Sequence, residues 1–312
     1  MWSLRTIIAT ASFITYAAAA QLTQITENFG PNPNGSGFYI YVPDKLRVPA
    51  PVVVAVHYCT GTGPAYYQNT KYARDADTKG YIVIYPSASA PGGCWDVASP
   101  ATLKHLGGGD SLAIHSMVQW TLNKYNTDRN QVFVTGTSSG AMMTNVLLGA
   151  YPDVFAAGSA YAGVPFGCFA GPTAWNSQCA TGQIIKTPQQ WGDLVRAAYP
   201  GYNGKRPRMQ LFHGDKDETL YFPNFGEETK QWTNVLGLSQ TPTITQQNTP
   251  RATWIKRIYG AGQVETIQET GQTHNLVIME DETLRFFGLD KLPLLSVSAE
   301  HGKLNIDVNI PH

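Results

Sequence analysis

One stretch constrains the fold of this chain more than any other: Gln131-Val-Phe-Val-Thr-Gly-Thr-Ser-Ser-Gly-Ala-Met-Met-Thr-Asn145. Gln131 to Thr135 is a short apolar run rich in β-formers, so it predicts a strand. Ala141 to Leu148 is small and apolar, so it predicts a helix. Between them Gly136-Thr-Ser138-Ser-Gly140 fits G-x-S-x-G. A strand, a sharp turn and a helix in this order form a nucleophile elbow. The turn must expose the Ser138 hydroxyl, and the positions two before and two after come too close for side chains, which calls for glycine. The helix that follows aims backbone N–H groups at the place where negative charge develops in acyl transfer. Ser139 is the runner-up nucleophile, flanked by the small Thr137 and Ala141. Glycine suits the crowded flanks better than threonine, which favours Ser138.

Strand and helix signals alternate on both sides of this stretch. Gly37–Val42, Pro51–His57, Tyr81–Tyr85, Ala156–Ala162 and Pro207–His213 read as strands, with Pro86 stopping the third. Thr253–Tyr259 and Val264–Glu269 read as a hairpin turned at Gly260-Ala-Gly262. Helices are predicted over about 66–79, from Asp110 as cap to about Tyr125, over 191–199 and 227–236, and from beyond His274 to about Phe287. Such alternation implies an α/β domain with a mostly parallel sheet covered on both faces. No repeat, linker or midpoint boundary divides the chain, so a single domain is expected.

A serine needs a base that is itself oriented by an acid, and after an elbow of this kind the order is Ser, acid, His. Of seven histidines, His274 lies in a Gly-containing loop beyond every plausible acid and is the preferred base. His213 is the second choice, and His57 is assigned a structural role. Asp215 and Asp217 both sit just past a strand end, and spacing does not separate them. The oxyanion donors expected are the backbone N–H groups of Ser139 and of Cys59 or Thr60, the latter in the loop after the 51–57 strand.

The first 20 residues read as a secretory leader. Arg5 is followed by a short apolar stretch and by Ala18-Ala19-Ala20, a small-residue cleavage site. No segment reaches the roughly 18 apolar residues of a membrane span. The expectation is therefore a secreted, extracellular protein with its four cysteines in an oxidising compartment. Of the three possible pairings, Cys59 with Cys94 and Cys168 with Cys179 is the one expected. Asn34-Gly-Ser36 is an acceptor for N-glycosylation in a turn-rich segment. No C-x-x-C or H-E-x-x-H spacing suggests a metal, and no cofactor is implied. Lys+Arg and Asp+Glu both count 22, which points away from nucleic acid or an anionic membrane as partner. Charged residues are only 14%, against sixteen Tyr and seven Trp, a balance that suits a neutral polar ligand such as sugar. A monomer is expected.

The segments His57-Tyr-Cys-Thr-Gly-Thr-Gly63, Gly92-Gly-Cys-Trp-Asp96, Gly136–Asn145, His213-Gly-Asp-Lys-Asp217 and Gly271-Gln-Thr-His274 together resemble fungal acetylxylan esterases of carbohydrate esterase family 1, kin of feruloyl esterases and polyhydroxybutyrate depolymerases. The resemblance spans about residues 22–290. It implies an α/β-hydrolase fold and removal of acetyl groups from xylan, with Ser138 as nucleophile, Asp217 as acid and His274 as base. The His-Gly-x-x-Asp pattern thus selects Asp217, which spacing alone did not. It also supports a Cys59–Cys94 bridge and Cys59 as oxyanion donor. Residues 291–312 extend beyond where the resemblance implies an end. Trp95 is a candidate sugar-facing aromatic, with packing beside the disulfide as the alternative. The rival activities are a feruloyl or short-chain polyester esterase and, outside enzymes, a secreted carbohydrate-binding protein.

Overall fold

Long apolar runs dictate the centre of the molecule. In the computed structural model, which describes residues 20–290 and the strands 295–300 and 303–308, they form the middle of a ten-stranded sheet. The leader expected over residues 1–20 lies, apart from Ala20, outside the described residues. The C-terminal extension does too, apart from those two strands.

The elements in chain order are β1 (Leu22–Ile25), β2 (Gly37–Tyr41), β3 (Ala50–Val56), α1 (Gly63–Asn69), α2 (Tyr72–Lys79), β4 (Ile82–Ser87), α3 (Gly109–Lys124), β5 (Thr127–Thr137), α4 (Ser139–Ala150) and β6 (Ala157–Tyr161). They continue with α5 (Ser177–Ala180), α6 (Pro188–Ala198), β7 (Arg208–Gly214), α7 (Pro223–Val235), β8 (Ile244–Gln247), β9 (Ile255–Tyr259), β10 (Val264–Glu269) and α8 (Glu280–Phe287). Last come β11 (Leu295–Glu300) and β12 (Lys303–Val308), an antiparallel pair forming a sheet of their own.

The main sheet runs β1-β2-β4-β3-β5-β6-β7-β10-β9-β8. Its middle, from β4 to β10, is parallel. Antiparallel strands finish both edges. Every residue of β3 is buried, as a strand covered on two faces requires. Its side chains alternate between two cores. Val52, Val54 and Val56 join residues of α3, α4, α6 and α7, whereas Val53 and Ala55 join residues of α1, α2 and α8. No helix among the described residues is long and apolar enough to cross a membrane.

Three local expectations differ from the structure, and one strand carries no signal in the sequence. The helix expected over 66–79 is two, because Thr70 and Lys71 break it. Pro86 lies inside β4 rather than ending it. There β4 is paired only with β2, since its pairing with β3 covers Ile82 to Ile84, so the missing N–H of proline breaks no ladder on that side. Asp110 does not cap α3; the cap position is Gly108. Asp110 is buried and accepts from Asn34 Nδ2 (2.9 Å), Ser36 Oγ (3.2 Å) and the Asp96 N–H (2.8 Å). It therefore ties the N-terminal segment to the loop before α3. Strand β8 is that one: its exposed sequence Ile-Thr-Gln-Gln carries no apolar alternation.

Candidate active site

The parallel strands deliver their C-terminal loops to one end of the sheet, the place where open α/β sheets gather ligand sites. The loop after β3 holds Cys59, that after β5 holds Ser138, that after β7 holds Asp217, and that after β10 holds His274.

Ser138 joins β5 to α4 with φ 56° and ψ −119°, a conformation costly for any residue bearing a Cβ. Its N–H donates to the Tyr161 carbonyl at the end of β6 (2.8 Å), and its carbonyl accepts from Met142 N–H (3.0 Å). The two glycines make this turn possible. A Cβ on Gly136 would stand 2.3 Å from the Gly140 oxygen, and one on Gly140 would stand 2.1 Å from the Val56 oxygen. The elbow is thus wedged against the end of β3.

The structure brings Ser138, His274 and Asp217 together. His274 Nδ1 lies 2.8 Å from Asp217 Oδ2, and His274 Nε2 lies 2.9 Å from Ser138 Oγ. A carboxylate can only accept, so Nδ1 carries the proton and Nε2 offers its lone pair to the Ser138 hydroxyl. Oδ1 of Asp217 accepts from the N–H groups of Thr219 (2.9 Å) and Leu220 (2.8 Å). Burial works to raise the Asp217 pKa. Hydrogen bonding and charge attraction from His213 and His274 outweigh it and hold the carboxyl well below its ordinary range.

Asp215 is not part of this hydrogen-bonded triad. It accepts from Gly271 N–H (2.7 Å) and so fastens the loop that carries His274. The same loop is held by Lys216 N–H donating to Gln272 O (2.9 Å) and by Val277 N–H donating to the Glu269 carboxyl (3.2 Å). His213 is fully buried; its Nε2 donates to Leu220 O (2.7 Å) and lies 3.4 Å from Asp217 Oδ2. It supports the acid and takes no direct place beside Ser138. His57 is buried too. Its Nδ1 donates to Tyr58 O and its Nε2 accepts from Ala88 N–H, while burial lowers its pKa.

The donor side is equally fixed. Cys59 and Cys94 are joined by a disulfide, as are Cys168 and Cys179. Thr60 N–H donates to Gly92 O (2.7 Å) and is therefore already engaged. Ser139 opens α4, so its N–H has no carbonyl one turn back within the helix.

Trp95 requires a correction. It is only 4% exposed and lies beneath the site, not in it. Its ring is 4.9 Å from that of His57, its Nε1 donates to His57 O (2.8 Å), and its backbone N–H donates to Ser139 Oγ (2.8 Å). An indole this buried and packed against the His57 ring has no face left for a sugar. The exposed aromatic at the site is instead Trp175, 49% exposed, within the loop closed by Cys168–Cys179 and edge-on to Phe169. With Tyr58, Met142, Leu220, Leu276 and Ile278 it lines a cleft of about 600 Å³ that opens over Ser138 and His274. That loop stood out in the sequence by its cysteines, but nothing local said that it folds over the elbow.

Asn34 is exposed, yet its Nδ2 is engaged by Asp110, and the Ser36 hydroxyl of the same sequon is buried on that carboxylate. Among the described residues no cluster of three or more His, Cys, Asp or Glu could hold a metal ion.

The comparisons with known proteins agree with this architecture. The family described as Esterase PHB depolymerase matches residues 37–178. Acetylxylan esterase A of Emericella nidulans is 51% identical over 273 residues, covering 86% of this chain and 89% of that protein. The probable acetylxylan esterase A of Aspergillus niger is 48% identical over 295 residues, covering 91% and 97%. Among solved structures, the acetyl xylan esterase from Aspergillus awamori superposes with a TM-score of 0.84 at 48% identity, over 86% of this chain and 99% of that one. Identity near one half across nearly the full length of these relatives, on a matching fold, places the chain in the fungal acetylxylan esterase family, on an α/β-hydrolase scaffold.

Proposed function

We propose that this protein is a serine esterase that removes acetyl groups from acetylated xylan. The observation that carries the reading is the unbroken run from Ser138 Oγ through His274 to Asp217, open to the cleft. Ser138 Oγ attacks the acetyl carbonyl while His274 Nε2 takes its proton. The carbonyl oxygen, now anionic, is met by the N–H groups of Ser139 and Cys59. As the tetrahedral centre collapses, His274 returns the proton to the departing sugar oxygen, and an acetyl-enzyme remains. Water, losing a proton to His274, attacks that ester; acetate leaves and Ser138 regains its proton. Asp217 keeps the imidazole in the tautomer this needs.

The two disulfides fit an oxidising compartment, and we infer that the protein is exported. A glycan on Asn34 would be added before its amide meets Asp110, that is, before folding.

The test is acetate release from acetylated xylan by the wild type and by Ser138→Ala. The wild type should release acetate, and the variant should be slower by roughly 10⁴-fold or more with its unfolding transition retained. Equal rates in both would end the proposal. Parallel assays on methyl ferulate and a polyhydroxyalkanoate separate it from the kindred activities.

A further inference from the structure

The catalytic cleft is bounded by a second cavity of about 410 Å³, and the two share Asn69 and Thr70 as a common wall. Both residues lie at the end of α1, where the helix breaks before α2. That end is close to the chemistry, because Tyr66 OH is 2.9 Å from the hydroxyl of Thr137, the residue before Ser138. One turn on, Thr70 Oγ1 donates to Tyr66 O (2.6 Å), and Lys71 N–H donates to the Glu280 carboxyl (3.0 Å). The junction is therefore fixed to both the elbow and α8.

The two spaces differ in charge. The cleft over Ser138 is lined by no Lys, Arg, Asp or Glu. The second cavity presents Lys71, Arg74 and Asp77 beside Tyr41 and Tyr67. Asp77 already accepts from Tyr41 OH (2.6 Å). Lys71 and Arg74 are exposed, and neither enters an ion pair among the described residues. Two unpaired cations therefore converge on one depression in a chain whose charged residues are only 14%. A guanidinium and an ammonium lining the same depression as the half-buried ring of Tyr67 suit a carboxylate on a sugar. The planar fork of arginine can grip the carboxylate in two places.

We propose that this cavity is a subsite for an acidic sugar, a uronosyl branch on the same polysaccharide chain whose acetyl group lies over Ser138. The proposal rests on the esterase reading and adds to it a preference among polymer substrates. Lys71 and Arg74 hold the branch carboxylate, Tyr67 offers its ring, and the chain passes over Asn69 and Thr70 into the cleft.

The test compares three substrates: p-nitrophenyl acetate, an acetylated xylo-oligosaccharide without branches, and the same oligosaccharide bearing one glucuronosyl branch. The expected wild-type result is a kcat/KM about ten-fold higher for the branched than for the neutral oligosaccharide, shrinking as salt is raised from 20 to 500 mM. In Lys71→Gln/Arg74→Gln the ratio of branched to neutral should fall to about one, with the p-nitrophenyl acetate rate reporting that the fold is intact. A wild type that treats both oligosaccharides alike, or a variant that keeps the wild-type ratio, overturns the subsite and leaves the esterase reading standing. Failure to release acetate from either oligosaccharide, with p-nitrophenyl acetate still cleaved, overturns the esterase reading on xylan and the subsite with it.

Discussion

The backbone N–H of Trp95 donates to the hydroxyl of Ser139 at 2.8 Å, joining the loop that carries Cys94 to the first residue of the elbow helix. Cys94 is bonded to Cys59, so the two backbone donors proposed for the oxyanion are fastened to each other through one short segment. This gives the second serine of the motif a role that does not touch the proton transfer.

Ser139→Ala removes an acceptor from a buried N–H and should cost about 1–3 kcal/mol. We expect a fall in Tm of several degrees, with kcat reduced far less than by Ser138→Ala because residue 139 keeps its own N–H. Thermal unfolding and steady-state rates on p-nitrophenyl acetate check this. A loss of kcat as deep as that of Ser138→Ala would make Ser139 the nucleophile and refute the assignment.

Asp217 and Asp215 should separate sharply. Asp217→Asn takes the acceptor from His274 Nδ1–H and favours the wrong tautomer, a change that costs about 10⁴ in kcat where it has been measured in such a triad. Asp215→Asn keeps an oxygen for the Gly271 N–H and should lower kcat by less than about ten-fold. The measurement is kcat for both at one pH. Comparable losses would mean that the carboxylate of Asp215, not its hydrogen bond to the loop, matters to the reaction.

The difference between these two aspartates also marks where the sequence stops being legible. The sheet could be read, since β3, most of β4 and the second half of β5 are apolar runs whose burial follows from composition, whereas the polar start of β5, Thr127 to Asn130, gave no strand signal. The elbow could be read, since only glycine tolerates carbonyls as near as those beside positions 136 and 140. Which aspartate reaches the imidazole could not, because that depends on the tight turn from Gly214 O to Asp217 N–H (3.2 Å) that swings the second carboxylate inward. Family resemblance, not spacing, selected Asp217. Trp95 misled for a related reason: an aromatic beside a disulfide and a glycine pair looks like a ligand platform until His57 O and Ser139 Oγ are seen to claim its two donors. Trp175 was hidden because its placement over the cleft is tertiary, fixed by a loop with little local pattern.

The two disulfides should differ in what their loss does. They close segments separated by 35 and 11 residues, so chain entropy assigns them about 4 and about 3 kcal/mol respectively. Stability should thus fall similarly. Activity should not, since Cys59 carries a proposed oxyanion donor, whereas Cys168–Cys179 closes the loop bearing Trp175. Cys59→Ser/Cys94→Ser should lower kcat on p-nitrophenyl acetate by about ten-fold or more. Cys168→Ser/Cys179→Ser should leave that kcat within a few-fold and raise KM for acetylated oligosaccharides. Kinetic constants for both double variants decide it; the reverse pattern would overturn the division of roles.

A buried acid beneath the elbow helix makes stability depend on pH. Glu228 accepts from Asn145 Nδ2 (2.7 Å), and Asn145 Oδ1 in turn accepts from Trp232 Nε1 (2.6 Å). Burial pushes the Glu228 pKa up to about 8, against which the Asn145 hydrogen bond acts weakly. Burial likewise pushes Glu269 up to about 8, opposed by the Val277 N–H. An acid with a raised folded pKa holds its proton in the native state and releases it on unfolding. Its stability contribution is therefore greatest below about pH 4.5, falls as pH rises, and levels off above about 8. The lowered Asp217 acts in the opposite sense, but only at pH below the ordinary carboxyl range, so it is silent in that window. Glu228→Gln can keep the oxygen that faces Asn145 while removing the proton equilibrium. Buried His57 and His115, whose pKa values burial lowers, act in the opposite sense over this interval in wild type and variant alike, so the readout is the difference: between denaturant midpoints at pH 5 and pH 8 the variant should lose less stability than the wild type by a few kcal/mol. A variant with the same pH slope as the wild type would show that Glu228 is already ionised in the fold and stabilised by something other than Asn145.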